Sequence, residues 1–362
     1  MSAASSAIYL NRRDSVRVMA ASALSSLLPA AVVANEPPMK SRLGLVLYCA
    51  RFRRDALRRK DADFDLYSPE SFLQYCQSVG AGGMQCALGV LDADAARQLR
   101  DYAGKHDLYI EAIVKLPSDD ADIARFDAEM QSAVSVGARA ARTTIIPGRR
   151  YEYFDSIEMF NEYDARGRRM LERGAPIAEK FRLPIAVENH KDHRDDQRVA
   201  LFEHISSEFV GACVDTGNSF ALLEDPIETV TKLAPWAHSV HLKDQALQPY
   251  EDGFLLADIP LGQGGLDLKR MVQILKTTRP DVRFTLELIT RDPLKVPCLT
   301  DRYWTTFPEL PAADLARAMR YVRDHSSQNL QYVSRMSPDE QLAREDANVR
   351  ESLDYARDQL GI

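Results

Sequence analysis

Eight short apolar runs punctuate the chain, and helical segments separate most of them. In order they are Leu43–Tyr48, Gly83–Ala87, Leu108–Val114, Ala140–Ile146, Leu183–Val187, Val210–Val214, Ala237–Leu242 and Arg283–Leu288. Continuous apolar runs, unlike alternating ones, are the pattern of parallel strands buried on both faces. Ser68-Pro69-Glu70 opens a helix that runs to Gly80, with Ser as N-cap and Pro in the first turn. The same pattern predicts helices over Asp92–Lys105, Asp119–Val136, Ser156–Phe181, Pro226–Leu233 and Asp267–Thr278. Strict βα alternation builds either a doubly wound sheet or a closed barrel. Eight units within about 250 residues favour a (β/α)8 TIM barrel. No GxGxxG follows the first run, so a dinucleotide-binding sheet lacks its main signal.

Beyond Tyr321 the pattern changes. Leu342, Val349, Leu353, Ala356 and Leu360 line one face of a helix whose back is heavily charged. Packing across the barrel is the expectation, and a subunit contact giving a homo-oligomer is the alternative. The expected layout is a leader over 1–34, a barrel over 40–325 and a C-terminal helical extension over 326–362.

The 362 residues carry a net charge of −7. Without the first 34 residues, 43 basic residues face 52 acidic ones, a net charge of −9. Nucleic-acid and anionic-membrane binding need a basic footprint, so an acidic body argues against both. Cys49, Cys76, Cys86, Cys213 and Cys298 are odd in number and include no CxxC pair, which excludes a disulfide framework or zinc ribbon. Cys49, Cys86 and Cys213 fall in or beside apolar runs and read as buried free thiols.

The N-terminus reads as an address. Asn11-Arg-Arg-Asp-Ser-Val-Arg17 precedes a weakly apolar stretch from Val18 to Val33, and Val32-Val33-Ala34 gives a small-residue cleavage pattern. The arrangement resembles a twin-arginine signal, which implies export, to the periplasm. The stretch is too short and too polar for a membrane span of about 20 residues.

The chemistry concentrates on four consecutive strands. The fifth run ends in Glu188, the sixth in Asp215, the seventh contains His241 and the eighth Glu287. Strand ends of a barrel converge on one mouth, so side chains about 100 residues apart can meet there. Three carboxylates and one imidazole suit a divalent ion such as Mn²⁺, Co²⁺, Mg²⁺ or Zn²⁺. The ligand-to-ligand spacing is 27, 26 and 46 residues, the excess lying in Asp244–Gly265, a loop of the kind that builds barrel active sites.

Glu188-Asn-His, Asp215-Thr-Gly-Asn218, His241-Leu-Lys-Asp244 and Glu287 resemble the motifs of the xylose isomerase-like barrel superfamily, its sugar phosphate isomerase/epimerase group in particular. The resemblance covers residues 43–325. In ketose 3-epimerases of that group, Glu, Asp, His and Glu at these strand ends hold the metal, and the two glutamates are the acid/base pair. The resemblance therefore implies Glu188, Asp215, His241 and Glu287 as ligands, with Glu188 and Glu287 as acid and base. Two positions depart from it: Asn218 stands where those epimerases carry His, and Leu247 where they carry Arg. The substrate grip must differ accordingly.

A metal that chelates a ketone and its neighbouring hydroxyl favours loss of the proton between them. Proton return gives epimerisation or aldose–ketose isomerisation; loss of a leaving group gives a lyase, for instance on 3-keto-glycosides. A sugar-binding module without catalysis would not need three carboxylates on one ion. An endonuclease IV-type DNA repair enzyme would need a three-metal cluster with extra histidines and a basic groove, against which stand seven histidines in all and an acidic body. A small sugar or keto-sugar is the expected partner.

Other residues are candidates for gripping it. His190, Lys191, Asn218 and Lys243 lie beside the ligands, although the lysines also read as a solvated charge run. Gln85 and Glu111 are expected to line the pocket. Arg142, Arg149 and Arg150 bracket the fourth strand and suit a carboxylate or phosphate. Tyr151, Tyr153, Trp304 and Phe307 either stack on a sugar ring or pack. Thr290–Cys298 reads as an ordered lid.

Overall fold

The eight apolar runs pair edge to edge until the sheet closes. A computed structural model describes residues 39–328 and 330–362 of the chain. The leader over 1–34 lies outside the described residues. The barrel strands are β1 (Gly44–Val46), β2 (Gly83–Cys86), β3 (Tyr109–Ile113), β4 (Ala141–Thr143), β5 (Ile185–Glu188), β6 (Val210–Asp215), β7 (Ala237–Leu242) and β10 (Phe284–Leu286). They form a closed barrel in the order β1-β10-β7-β6-β5-β4-β3-β2, every pair parallel. Leu45, Ile110, Ile185, Val187, Val214, Val240 and Leu286 are buried in the core that joins strands to helices.

The outer layer holds α1 (Arg51–Lys60), α2 (Pro69–Ser78), α3 (Ala93–Lys105), α4 (Ile123–Ser135), a single turn α5 (Arg150–Tyr153), α6 (Ile157–Phe181), α7 (Asp195–Ile205), α8 (Pro226–Leu233) and α9 (Leu268–Thr278). Local caps start several of them. Ser68 accepts from Ser71 N, Asp92 from Asp94 N and Ala95 N, Ser156 from Met159 N, and Asp225 from Ile227 N and Glu228 N.

Four segments depart from expectation. The first run forms a strand only to Val46, and Leu47–Ala50 turns directly into α1. The α1 helix was not expected because nothing local caps it; Phe52 N and Arg53 N instead donate to Glu345, 2.9 and 2.8 Å away. The α7 helix fills a stretch where none was expected, since charged Asp195 and Arg198 on its buried face blur the apolar period. Of Ala140–Ile146 only Ala141–Thr143 pairs, and the chain then leaves the barrel toward α5.

The fourth departure is the Asp244–Gly265 excess. It forms a hairpin of β8 (Asp244–Tyr250) and β9 (Gly253–Ile259), and β11 (Leu294–Val296) from the Thr290–Cys298 run joins it in an antiparallel three-stranded sheet. A second apolar cluster containing Phe254, Leu256, Val296, Tyr303 and Val322 backs this sheet with α10 (Asp301–Trp304) and α11 (Ala312–Asp324).

The last helix, α12 (Pro338–Tyr355), starts at a Ser337–Glu340 capping box and packs on α1. Val349, Leu353 and Ala356 are buried as the apolar stripe predicts, whereas Leu342 and Leu360 are half-buried. All five cysteines are free and buried. No helix among the described residues is long and apolar enough to cross a membrane.

Candidate metal centre

Strand register brings the four candidate ligands to one end. Glu188 closes β5, Asp215 closes β6 level with His241 of β7, and Glu287 follows β10 directly. A slip between β6 and β7 makes this possible. Ala212 pairs with Ala237 but Cys213 pairs with Ser239, leaving His238 as an extra residue. Without that bulge Val240 would stand beside Asp215.

One donor atom from each of Glu188, Asp215, His241 and Glu287 lies within 4.8 Å of all the others. Glu188, Asp215 and His241 are fully buried and Glu287 is 4 % exposed. His241 Nδ1 is 3.5 Å from Glu188 Oε2, 3.9 Å from Asp215 Oδ2 and 3.6 Å from Glu287 Oε2.

The imidazole is aimed from behind. Gln85 Nε2 donates to Glu111 Oε2 at 2.8 Å, so its Oε1 faces His241 Nε2 at 2.7 Å. An amide oxygen only accepts, which assigns the proton to Nε2 and leaves the Nδ1 lone pair toward the carboxylates. Ser239, two residues before His241 on the same face of β7, donates to Glu111 at 2.7 Å and fixes the chain's far end. Gln85 and Glu111 thus stand behind His241 inside the barrel: Glu111 Oε2 accepts from Gln85, Ser239 and Thr285, while its Oε1 is buried without a hydrogen bond.

Charge balance around the cluster comes from three buried cations. Arg142 donates to Glu188 Oε2, while Asn218 Nδ2 donates to Glu188 Oε1 at 3.0 Å. Lys243 Nζ lies 2.6 Å from Glu287 Oε2, 3.2 Å from Asp215 Oδ2 and 3.2 Å from Asn218 Oδ1. Lys191 donates to the same Asn218 oxygen. Both lysines are 2 % exposed, so the solvated-charge alternative is excluded. Asp215 Oδ1 accepts from Gly217 N and Asn218 N, each at 2.8 Å.

These neighbours tune the carboxyls differently. Burial opposes the Glu188 carboxylate, but the Arg142 guanidinium holds its pKa below the usual range. Burial also opposes ionisation of Glu287, and Lys243 and His241 outweigh it. At Asp215 burial wins and the pKa is pushed up to about 6, because Lys243 sits farther away and two carboxylates crowd it. Burial, reinforced by Lys243, pushes the Lys191 ammonium down to about 7.

Two buried atoms of the cluster make no hydrogen bond: His241 Nδ1 and Asp215 Oδ2. Orphaned polar atoms in a dry interior are costly unless something fills the point they face. Ligands about 2.1 Å from one ion lie up to about 4.2 Å apart, so a sub-ångström closure of the cluster suits a divalent metal. The donor set fits the group.

Of the other candidates, His190 stays within electrostatic reach of Glu188 and the rest go elsewhere. His190 is half-buried, with Nδ1 3.2 Å from the Gly148 carbonyl, and burial lowers its pKa. Arg149 pairs with Glu152 outside the cluster. Arg150 is buried between the rings of Phe160 and Phe307, 3.7 and 4.2 Å from their centroids, and bonded to Gln197 and Thr306. Tyr151 stacks on Tyr303 at 5.4 Å and Phe307 is buried beside them, Trp304 bonds the Cys298 carbonyl, and Tyr153 is exposed.

Residues not singled out also contribute. Asn189 brackets Asp215, donating to its carbonyl at 3.0 Å and accepting its N–H at 2.7 Å. Asp258, from β9, accepts from Arg291 at 2.9 Å and Gln245 at 2.8 Å. Asn189 is visible in the sequence as a polar residue next to a ligand; Asp258 has no such signal, because it sits on a hairpin strand that the pattern does not mark.

A parallel eightfold barrel with a sealed carboxylate–imidazole cluster at the C-terminal strand ends defines a class of barrel proteins. Within it, residues 73–325 match the Xylose isomerase-like TIM barrel family, and the chain belongs to that family. Among characterised proteins it is 31% identical over 110 residues to a 3-oxo-isoapionate decarboxylase of Pectobacterium atrosepticum. That match spans 30% of this chain and 39% of the relative's length. Similar solved structures include a D-psicose 3-epimerase with D-fructose (TM-score 0.53, 12% identity, 80% of this chain and 93% of that one). Another is a 3-keto-D-glucoside 4-epimerase from E. coli (TM-score 0.51, 13% identity, 79% of this chain and all of that one). At these identities the likeness shows the fold.

Proposed function

We propose that the chain is a divalent-metal-dependent enzyme that removes a proton beside the carbonyl of a keto-sugar, as an isomerase or epimerase. The observation that carries this reading is the convergence of one donor atom from each of Glu188, Asp215, His241 and Glu287 to within 4.8 Å, with His241 Nδ1 left without a hydrogen bond. Glu188, Asp215, His241 and Glu287 would hold Mn²⁺, Co²⁺, Mg²⁺ or Zn²⁺, which when bound supplies Lewis-acid polarisation of the substrate carbonyl. Glu188 is the base: Arg142 and Asn218 fix both its oxygens and keep it ionised. Glu287 is its counterpart, and the Lys243 ammonium, 2.6 Å away, pairs with its carboxylate. Returning the proton to the opposite face epimerises the sugar; returning it to the adjacent carbon isomerises it.

A lyase is the second reading, supported by the buried ammoniums of Lys191 and Lys243 at Asn218. Cationic groups beside a carbonyl site suit a carboxylate whose loss as CO₂ leaves the same enediolate, and the 31% identical relative is a decarboxylase. β-Elimination from a 3-keto-glycoside starts from the same proton abstraction. The leader's likeness to a twin-arginine signal supports export to the periplasm, checked by fusing residues 1–34 to a reporter and fractionating cells.

NMR in deuterium oxide tests the reading, with metal-loaded protein and free keto-sugars, keto-sugar acids and 3-keto-glycosides. Deuterium uptake without cleavage supports the isomerase or epimerase; CO₂ or aglycone release supports the lyase. No exchange with any of them, or exchange that survives Glu188→Gln, overturns the shared mechanism.

A further inference from the structure

The opposite end of the barrel, where the strands begin, holds a cavity of about 430 Å³. Lys40, Arg42, Arg100, Arg139 and Arg283 line it, with Asp107 as the one acid. They come from the segments just before β1, β4 and β10 and from α3, so the closed barrel collects them from distant sequence positions.

Two of the five cations are already engaged. Lys40 Nζ donates to the His106 carbonyl at 3.0 Å and pairs with the Asp107 carboxylate at 2.9 Å. Arg100 reaches the Ser135 carbonyl at 3.4 Å and lies 3.7 Å from Asp101. Both serve helix C-terminal ends, where exposed carbonyls attract cations. Arg42, Arg139 and Arg283 do not. Among the described residues their guanidinium groups have no ion pair and no hydrogen bond; Arg283 Nε is buried without a hydrogen-bond partner, and its guanidinium lies 5.8 Å from the Tyr109 ring centroid. Lys40 lowers the Asp107 pKa most, and Arg283 and Arg42 add to the effect, so the positive field reaches across the cavity. In a protein of net charge −7, this is a local excess of unmatched positive charge.

We propose that this cavity is a binding site for a phosphate-type oxyanion, as the free ion or as the phosphoryl group of a small metabolite. Planar guanidinium forks match tetrahedral oxyanions bidentately, and three unpaired forks around one concavity provide the donors that such a group needs. A phosphate ion fills only part of the space, leaving room for an organic body behind it.

Isothermal titration of the full-length, metal-loaded protein tests this, with sodium phosphate, sodium sulfate and ribose 5-phosphate at ionic strength fixed by potassium chloride. Saturable binding is expected, weakened about tenfold or more in both Arg139→Gln and Arg283→Gln. Tighter binding of ribose 5-phosphate assigns the site to esterified phosphate, and tighter binding of phosphate assigns it to the free ion. Circular dichroism checks that each variant is folded, and Arg42→Gln replaces any that is not. Absence of saturation up to about 10 mM, or equal affinity in the folded variants, overturns the proposal.

Discussion

The two ends of the barrel handle charge in opposite ways. At the end where the strands finish, three carboxylates face three buried cations, and the ligand atoms left without a hydrogen bond are His241 Nδ1 and Asp215 Oδ2. At the end where they begin, cations outnumber acids, and among the described residues the guanidiniums of Arg42, Arg139 and Arg283 form no ion pair or hydrogen bond. The first end is buried and braced by hydrogen bonds to Glu188, Asp215 and His241; the second is an open concavity lined by long cationic side chains. Tight geometry suits bond chemistry, which suffers from small misplacements. Loose positive charge suits only the capture of an anion.

The largest expected effect breaks the comparison at its buried end. Glu188→Gln should reduce substrate deuterium exchange about a thousandfold, the scale of a lost general base, while Arg283→Gln leaves exchange unchanged. Equal losses in both would show that the two ends are not functionally separate. His241→Ala should weaken Mn²⁺ or Co²⁺ binding by more than about a hundredfold, read by metal analysis after dialysis and by calorimetry. Gln85→Leu removes the acceptor that aims the imidazole, and should cost about 10- to 100-fold in metal affinity, with the fold intact by circular dichroism. An unchanged affinity would refute the aiming role. Arg149→Ala, outside the cluster, should leave exchange and metal affinity unchanged.

The smallest effect lies between the ends. Burial pushes the Glu345 carboxyl up to about 7, while its bonds to Phe52 N and Arg53 N oppose that shift. The folded state therefore binds more protons than the unfolded chain between about pH 4.5 and 7, and stability falls as pH rises through that window. Thermal melts of Glu345→Gln against the parent should show a shallower decline over the same range; identical slopes would assign the pH dependence to other groups.

Much of the barrel was legible because most strands lie in short, largely apolar runs and several helices carry their own caps, as at Ser68, Asp92 and Asp225. What stayed hidden was set at a distance. Glu345 caps α1 from 293 residues away, a partnership no local window contains. The β8–β9 hairpin looked like a loop because its apolar face only makes sense once β11 and α11 cover it. At the site, ligand types could be read from strand ends, but not their support. Whether Lys243 is solvated or locked between Asp215 and Glu287 depends on how adjacent strands align, and Arg149 and Arg150 part ways although they are neighbours in sequence.

The bulge at His238 carries a final consequence. The cluster depends on a count as well as on its side chains: one residue more than the β6 pairing requires turns His241, rather than Val240, toward Asp215. Removing that residue would leave every ligand in the chain and scramble the address at which one of them is delivered. Insertions or deletions in β7 are therefore as damaging as replacing the histidine, whereas the same length change in the β8–β9 turn meets no such constraint. In this protein the spelling of the site and the ruler that measures it are separate pieces of information, and a reader scanning only for the four letters would miss the second.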